Sequence, residues 1–249
     1  APDQVVAEAL LLSGRHPELV VTGIHIGHYG KDLDPTWTLS RLVALLLDRV
    51  PDARFRLGSI EATEVDDLLI DLLATSGGRL APHVHMPLQS GADPVLKLMR
   101  RWHTREQYRV RVLELAERVS PLGLGADVIT GFPGESEHDH DSTRALIDEL
   151  PFTYLHVFPF SPRDGTVAVR LPHPVPQRVS GQRSRELREI AQAKGREYRE
   201  TRVGGSAEVV VEGDGGTALT GDYLRVGVGG ALRTAHHHEQ TGTLERLPT

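Results

Sequence analysis

The chain has 249 residues, 39% hydrophobic and 25% charged, with a formal net charge of −6. That length holds one large domain, or one large and one small, and the acidic balance argues against indiscriminate nucleic-acid binding, although a local basic patch can override it. No apolar run approaches the roughly 20 residues that cross a bilayer, and the lack of cysteine excludes disulfides, thiolate zinc sites and cysteine-ligated iron–sulfur clusters within these residues, with a cytoplasmic location as the default expectation.

Residues 3–13 pattern as a helix. The opening APDQVV has neither Met nor a positive segment, which speaks against a signal peptide and for an excised or truncated chain. Residues 19–23 read as a buried strand ending in glycine. Thr38 caps a helix over 39–49, whose LVALLL run (42–47) sits in an amphipathic pattern. A strand follows over 54–60, a helix over 65–75 and a short strand over 83–86. Asp93-Pro94 pairs an N-cap with Pro at the first helical position. Thr104 and Gln107 make a capping box for a helix over 105–119. A strand over 124–130 leads into Phe132-Pro133-Gly134-Glu135, where Pro and Gly suit the two central positions of a type II turn. Glu135 is expected to hold that turn or a neighbouring loop, and Ser136 to cap a helix over 137–149. A strand at 154–160, the Pro-rich LPHPVP (171–176) and a long helix over 177–201 complete the series.

Such alternation implies a parallel sheet covered by helices. About five strands precede residue 165, and a full eight-stranded barrel needs about 250 residues by itself. The expected fold is therefore α/β, a partial (β/α) barrel over 1–170 with a connecting helix over 171–203. From 204 to 249 the composition turns Gly-rich and β-prone, at 207–212, 217–220, 223–228 and 242–247. That predicts a small antiparallel β-barrel of the oligonucleotide-binding type. Ligands of barrel-like parallel sheets sit at the C-terminal strand ends. Those ends carry Thr22-Gly23-Ile24-His25, Ser59-Ile60-Glu61, residues 86–91, 127–135 and 156–161. Glycine, small polar groups, carboxylates and an amide can hold a polar cofactor with an amine, a carboxylate and a ribose. Singly, each of these residues reads more readily as ordinary loop polarity; as a set they point to a site.

The stretches TGIHIGHYGKDL (22–33), RLGSIEATEV (56–65), HVHMPLQSGADPVLKLMRRWHTREQY (83–108), DVITGFPGES (127–136) and HVFPFSPRDGTVA (156–168) resemble, in order and spacing, the radical S-adenosylmethionine methylthiotransferases. TGIHIGHYG looks like the branch that modifies N6-threonylcarbamoyladenosine in tRNA, and ALTGDYLRVGV (218–228) is similar to the TRAM domain that ends these enzymes. The resemblance implies an enzyme that cleaves S-adenosylmethionine to a 5′-deoxyadenosyl radical, abstracts hydrogen from C2 of the adenine and installs a methylthio group there. It also implies an N-terminal Fe–S domain, a Cys-x3-Cys-x2-Cys loop holding a [4Fe–4S] cluster, and a reductant. This chain contains neither cluster element, so the resemblance implies a C-terminal portion that is inactive alone. On the same footing, Gly23 and His25 face the methionine part of the cofactor, Ser59 and Glu61 occupy the next strand end, and Gln89 and Asp127 reach its ribose or carboxylate. Phe158 and Phe160 pack on adenine, although they share one sheet face and at least one of them also reads as a core residue, and Arg100 neutralises a carboxylate.

The expected RNA-facing residues are Lys97, Arg100, Arg101, Trp102, Arg105 and Tyr108, from a segment (97–111) with six Arg or Lys against one Glu. Its interleaved aromatic rings suit stacking on unpaired bases. Residues 178–202 hold eight Arg or Lys against four Glu; 204–249 hold three Arg against six Asp or Glu, which suits a cap or shape reader better than a phosphate binder. Both basic segments also read as solvated helix faces. Two alternatives stay open. One is a metal-dependent barrel hydrolase using His83 and His85, which share one strand face, with His25, His156 and Asp127 at other strand ends. The other is a non-catalytic RNA-binding relative. His236-His237-His238 reads as a surface loop able to bind nickel or zinc adventitiously.

Overall fold

The computed structural model describes residues 1–33, 37–212, 216–228, 233–235 and 239–243, the last two segments as backbone only. Helix α1 (Pro2–Ser13) leads into strand β1 (Glu18–Val21). Then follow α2 (Leu39–Arg49), β2 (Arg54–Leu57), α3 (Asp67–Thr75), β3 (His83–His85), α4 (Asp93–Leu98), α5 (Arg105–Arg118), β4 (Gly123–Thr130), α6 (Glu137–Glu149), β5 (Tyr154–Pro159) and α7 (Gln177–Arg202). β1 and β2 pair in parallel, as do β3, β4 and β5. Bridges from Phe55 to Leu80 and from Ser59 to His85 join the two groups, so the five strands run in chain order through an incomplete barrel. No helix among the described residues is long and apolar enough to cross a membrane.

Strand alternation separates two faces. Phe55, Leu57, Val84, Leu124, Ala126 and Val128 are buried in the core with Leu42, Val43 and Leu46 of α2, Leu69 and Ile70 of α3, Val112 and Leu115 of α5, and Leu146 and Ile147 of α6. The opposite, inner face carries Glu18, Arg54, Arg56, His83, His85, Asp127, Tyr154, His156 and Phe158. The helices begin where side chains can satisfy their first N–H groups. Thr38 accepts from Arg41 N and Asp66 from Leu69 N (2.8 Å), while Thr104–Gln107 and Ser136–Asp139 close capping boxes. The Pro133-Gly134 turn closes with Glu135 N donating to Phe132 O, 2.9 Å, and Gly134 takes φ +89°, which glycine adopts without strain. Glu135 accepts from Gly131 N (2.6 Å) and from Arg183 Nη1 (2.7 Å), holding both its own turn and α7.

Several boundaries differ from the sequence-based expectation. β1 is not a buried strand: it has only β2 beside it among the described residues, and Val20 is 56% exposed on the open inner face. Asp93 is not the N-cap. Ala92 takes that place, and Asp93 instead accepts from Arg105 N, 2.7 Å, tying α4 to α5. A short 3₁₀ turn at Ala62–Glu64 delays α3 until the Asp66 cap.

After α7 the chain forms β6 (Ser206–Glu212), β7 (Thr217–Thr220), β8 (Arg225–Gly227), β9 (Arg233–Ala235) and β10 (Glu239–Thr243). They make one antiparallel sheet in the order β8-β7-β6-β10-β9, over a small core of Ala207, Val209 and Ala218. The β9 strand was not expected. The expected strand at 242–247 is met only at its start, in β10; residues 244–247 and the His236–His238 triple lie outside the described residues. The turn after β7 docks on the barrel. Arg56 donates to Thr220 O and Gly221 O (both 2.9 Å), and Glu18 holds both Arg54 (2.5 Å) and Arg56 (2.8 Å). Tyr223 stacks on His83 with ring centroids 4.2 Å apart, and buried Asp222 accepts from Tyr198 Oη (2.6 Å) and Arg202 Nε (2.8 Å).

Candidate functional site

Two groups of polar side chains stand out, one at the C-terminal strand ends and one on the inner sheet face. At the strand ends, His25 follows β1 and a 3₁₀ turn (Ile26–His28) carries His28 back over it. Residues three apart eclipse in a 3₁₀ turn, and the two rings stack at 3.6 Å. Trp102, 64% exposed, stacks on both at 5.5 and 5.4 Å. The Nε2 atoms of His25 and His28 lie 2.8 and 3.2 Å from Glu64 Oε1. These contacts lack hydrogen-bond alignment, which leaves His25 Nε2 and both Glu64 oxygens without a hydrogen-bond partner among the described residues.

Glu61 accepts from Arg101 Nη1 (3.1 Å), and His103 approaches its other oxygen at 3.7 Å. His103 above all, then Arg101, holds the Glu61 carboxyl below the usual range against the opposing effect of burial. His25, Glu61, Met99, Arg100, Arg101 and Trp102 line a cleft of about 290 Å³. Gly23 and Ser59 are exposed beside it. Gln89 is buried with φ +65°, and its backbone is pinned to β4 through Asp127 O (2.7 Å) and Ile129 N (2.9 Å); Arg100 also takes φ +56°. Left-handed backbone at non-glycine residues persists where the surroundings enforce it, and such positions cluster at functional sites.

On the inner face, Asp127 and His156 are cross-strand partners and His85 lies one strand away. Asp127 Oδ1 is 3.3 Å from His85 Nε2 and 3.2 Å from His156 Nδ1. These imidazoles, His85 first, hold the Asp127 carboxyl low despite its partial burial. Tyr154 Oη sits 3.1 Å from His85 Nδ1 and 2.8 Å from His83 Nε2. Burial, then Arg56 and His85, pushes the His83 imidazole down to about 3, so it is neutral. Asp127 is therefore engaged by two imidazoles and still partly open to solvent. His83 and His85 do not converge as a metal-binding pair: His83 is bonded to Tyr154 and packed under Tyr223, and its Nδ1 is buried. Phe158 is 51% exposed beside His156, whereas Phe160 packs edge-on against Phe132 at 5.1 Å. The two phenylalanines do not share a site.

The 97–111 segment divides in the same way. Lys97, Arg100 and Trp102 are exposed. Tyr108 is not available for stacking, since it is fully buried and donates to Met86 O, 2.8 Å. Arg105 donates to the carbonyls of Gly91 and Ser142, and Arg109 and Arg111 pair with Glu149 and Asp67. In the 178–202 segment, Arg183, Arg188, Lys194 and Arg202 are engaged by Glu135, Val157 O, Asp148 O and Asp222. Those side chains hold the fold together. His28, Glu64, His103 and Tyr154 were not singled out from the sequence. His28 and Tyr154 carried a usable signal, each standing three or two residues from a histidine that was.

Residues 3–147 match the model of the radical SAM superfamily. The chain belongs to that superfamily. This member is 38% identical to the threonylcarbamoyladenosine tRNA methylthiotransferase MtaB of Rickettsia prowazekii over 82% of its own length and 48% of the relative's. It is also 38% identical to the MtaB of Bacillus subtilis, over 79% and 44%. The tRNA-2-methylthio-N(6)-dimethylallyladenosine synthase of Bacillus subtilis is 35% identical, over 86% and 42%. The chain thus spans about half the length of the curated relatives it matches. Among solved structures, the radical SAM enzyme coproporphyrinogen III oxidase (HemN) of Escherichia coli aligns with TM-score 0.57 and 19% identity over 78% of this chain and 44% of that one. The methyltransferase TsrM of Kitasatospora setae aligns with TM-score 0.52 and 16% identity over 64% and 31%. At such identities the likeness carries the fold alone. Radical SAM membership leaves the barrel-hydrolase alternative without support.

Proposed function

We propose that this chain supplies the cofactor-facing wall and the RNA-reading surface of a tRNA methylthiotransferase that modifies C2 of N6-threonylcarbamoyladenosine. The observation that carries the reading is the similarity to the MtaB relatives over four fifths of the chain. The cleft suits S-adenosylmethionine: Glu61 offers an anion to its amine and Arg100 a cation to its carboxylate, and Gly23 and Gln89 stand at adjoining strand ends. His25 and Ser59 complete that wall, and Phe158 presents an apolar surface for adenine. Bound S-adenosylmethionine supplies a radical precursor and a methyl group. The protein's own part is to bind and orient it and to keep Glu61 ionised. A [4Fe–4S] cluster finds no cysteine thiolate among these 249 residues. Its ligands and its reductant then lie outside them, and the chain is inactive by itself. Lys97, Arg100, Arg101 and Trp102 flank the cleft and suit an anticodon-loop adenosine, by charge and by stacking.

The test is mass spectrometry of tRNA nucleosides from a host lacking its own methylthiotransferases. The 249 residues alone should add no methylthio group, and a longer protein bearing this segment and cluster cysteines should add it to threonylcarbamoyladenosine. Product on isopentenyladenosine instead would overturn the substrate, and product from the 249 residues alone would overturn the placement of the cluster. A longer protein that binds tRNA yet never modifies it would leave a non-catalytic RNA-binding relative.

A further inference from the structure

We propose that His85, Asp127 and His156 form a mononuclear site for a divalent transition-metal ion, of the zinc class, on the inner face of the barrel. This goes beyond the methylthiotransferase reading and does not depend on it. The three ligating atoms all lie within 4.8 Å of one another. Both imidazole nitrogens stand 3.2–3.3 Å from a single carboxylate oxygen. Four-coordinate zinc, with bonds of about 2.0–2.2 Å, sets its ligands roughly 3.3 Å apart, so little more than a side-chain tilt admits the ion. Two histidines and one carboxylate leave a fourth position open, as in catalytic rather than structural zinc sites. The His156 side chain is 55% exposed and Asp127 28%, so that position faces solvent and admits water or an oxygen or nitrogen donor.

The surroundings are built for such a role. Metal-bound histidines have their second ring nitrogen held by a hydrogen bond that sets tautomer and orientation. Here Tyr154 Oη holds His85 Nδ1 and is itself held by His83 Nε2. Tyr154 reaches that position only because its cross-strand neighbour is glycine: a Cβ on Gly125 would lie 2.0 Å from Tyr154 Cζ. Asp127 and His156 are locked in strand register, so two ligands sit on rigid backbone. The other candidate group, His25, His28 and Glu64, is less apt. It too brings two imidazole nitrogens to one carboxylate oxygen, but its rings are stacked on each other and on Trp102, and His25 lines the cleft assigned to the cofactor.

The experiment uses the untagged 249-residue chain with His236→Gln, His237→Gln and His238→Gln, which removes the tail triple as a competing chelator. Titration with Co²⁺, followed by visible absorption and displaced by Zn²⁺, should give one equivalent with a tetrahedral-type spectrum. Asp127→Asn and His156→Ala should each weaken binding more than roughly 100-fold, and Tyr154→Phe about 10–100-fold, while His28→Ala leaves it unchanged. His156 is half in solvent, so its replacement keeps the fold, which far-UV circular dichroism verifies. Absence of Co²⁺ binding at micromolar protein overturns the site. So does parental binding in both Asp127→Asn and His156→Ala, or loss of the spectrum in His28→Ala.

Discussion

At the scale of single residues, the two aromatic side chains of the basic segment have opposite roles. Trp102 is open and backed by stacked imidazoles, whereas Tyr108 is fully buried. Trp102→Ala should weaken binding of an anticodon stem-loop by about 1–3 kcal/mol, the worth of one stacked base, read by fluorescence anisotropy at fixed salt. Tyr108→Phe should leave that affinity unchanged and lower stability by about 1–3 kcal/mol, because Met86 O loses its buried donor. His83 adds a pH signature. Its folded-state pKa of about 3 lies below the roughly 6.5 of an unfolded histidine. Between those values the unfolded chain binds the extra proton, so the stability from neutral His83 is present above pH 6.5 and falls as pH drops toward 3. A His83→Gln protein should show a shallower loss of Tm across that window, and parallel curves would refute the assignment.

At the scale of elements, local chemistry decides where helices and turns begin. The Thr104–Gln107 box starts α5, and Thr104→Ala should cost about 1 kcal/mol in thermal denaturation without altering Co²⁺ or RNA binding. The β4–β5 pair obeys a longer-range rule. Gly125 is a strand glycine whose missing side chain is filled by the Tyr154 ring. Gly125→Ala should destabilise by about 1–3 kcal/mol through overpacking and should displace Tyr154, lowering Co²⁺ affinity in the same protein. A stable Gly125→Ala with parental Co²⁺ binding would show that Tyr154 does not position His85.

At the scale of the whole molecule, the small β sheet is fastened to the barrel through charged groups rather than a broad apolar seam. Its own core is Ala207, Val209 and Ala218, while Arg54, Arg56 and Asp222 make the cross-contacts. Burial pushes the Asp222 carboxyl up, but hydrogen bonds from Tyr198, Arg202 and Thr220 outweigh it and hold the group below its ordinary value. A carboxyl lowered in the folded state contributes stability above its unfolded pKa, about 3.9, and loses it as pH falls through the folded value. Tm of the parent should therefore fall below about pH 4 more steeply than that of Asp222→Asn. Equal acid limbs would mean that this pair does not carry the docking.

The sequence by itself determined the order of the α/β elements, the Thr38, Thr104 and Ser136 caps, the Pro133-Gly134 turn and the run of motifs at the strand ends, because these depend on residues within a few positions of one another. It also placed the chain in its superfamily through five ordered motifs. It left open which polar residues are working groups and which are fastenings. Tyr108 and Arg105 looked like Trp102 and Lys97 in the sequence, and only packing against β3 and α6 set them apart. Asp127, His85 and His156 come from three strands, and their meeting is decided by β3–β4–β5 register and by the space that Gly125 leaves. Tertiary structure alone settles such contacts, because side-chain burial and cross-strand distance depend on partners that are tens of residues away in the chain.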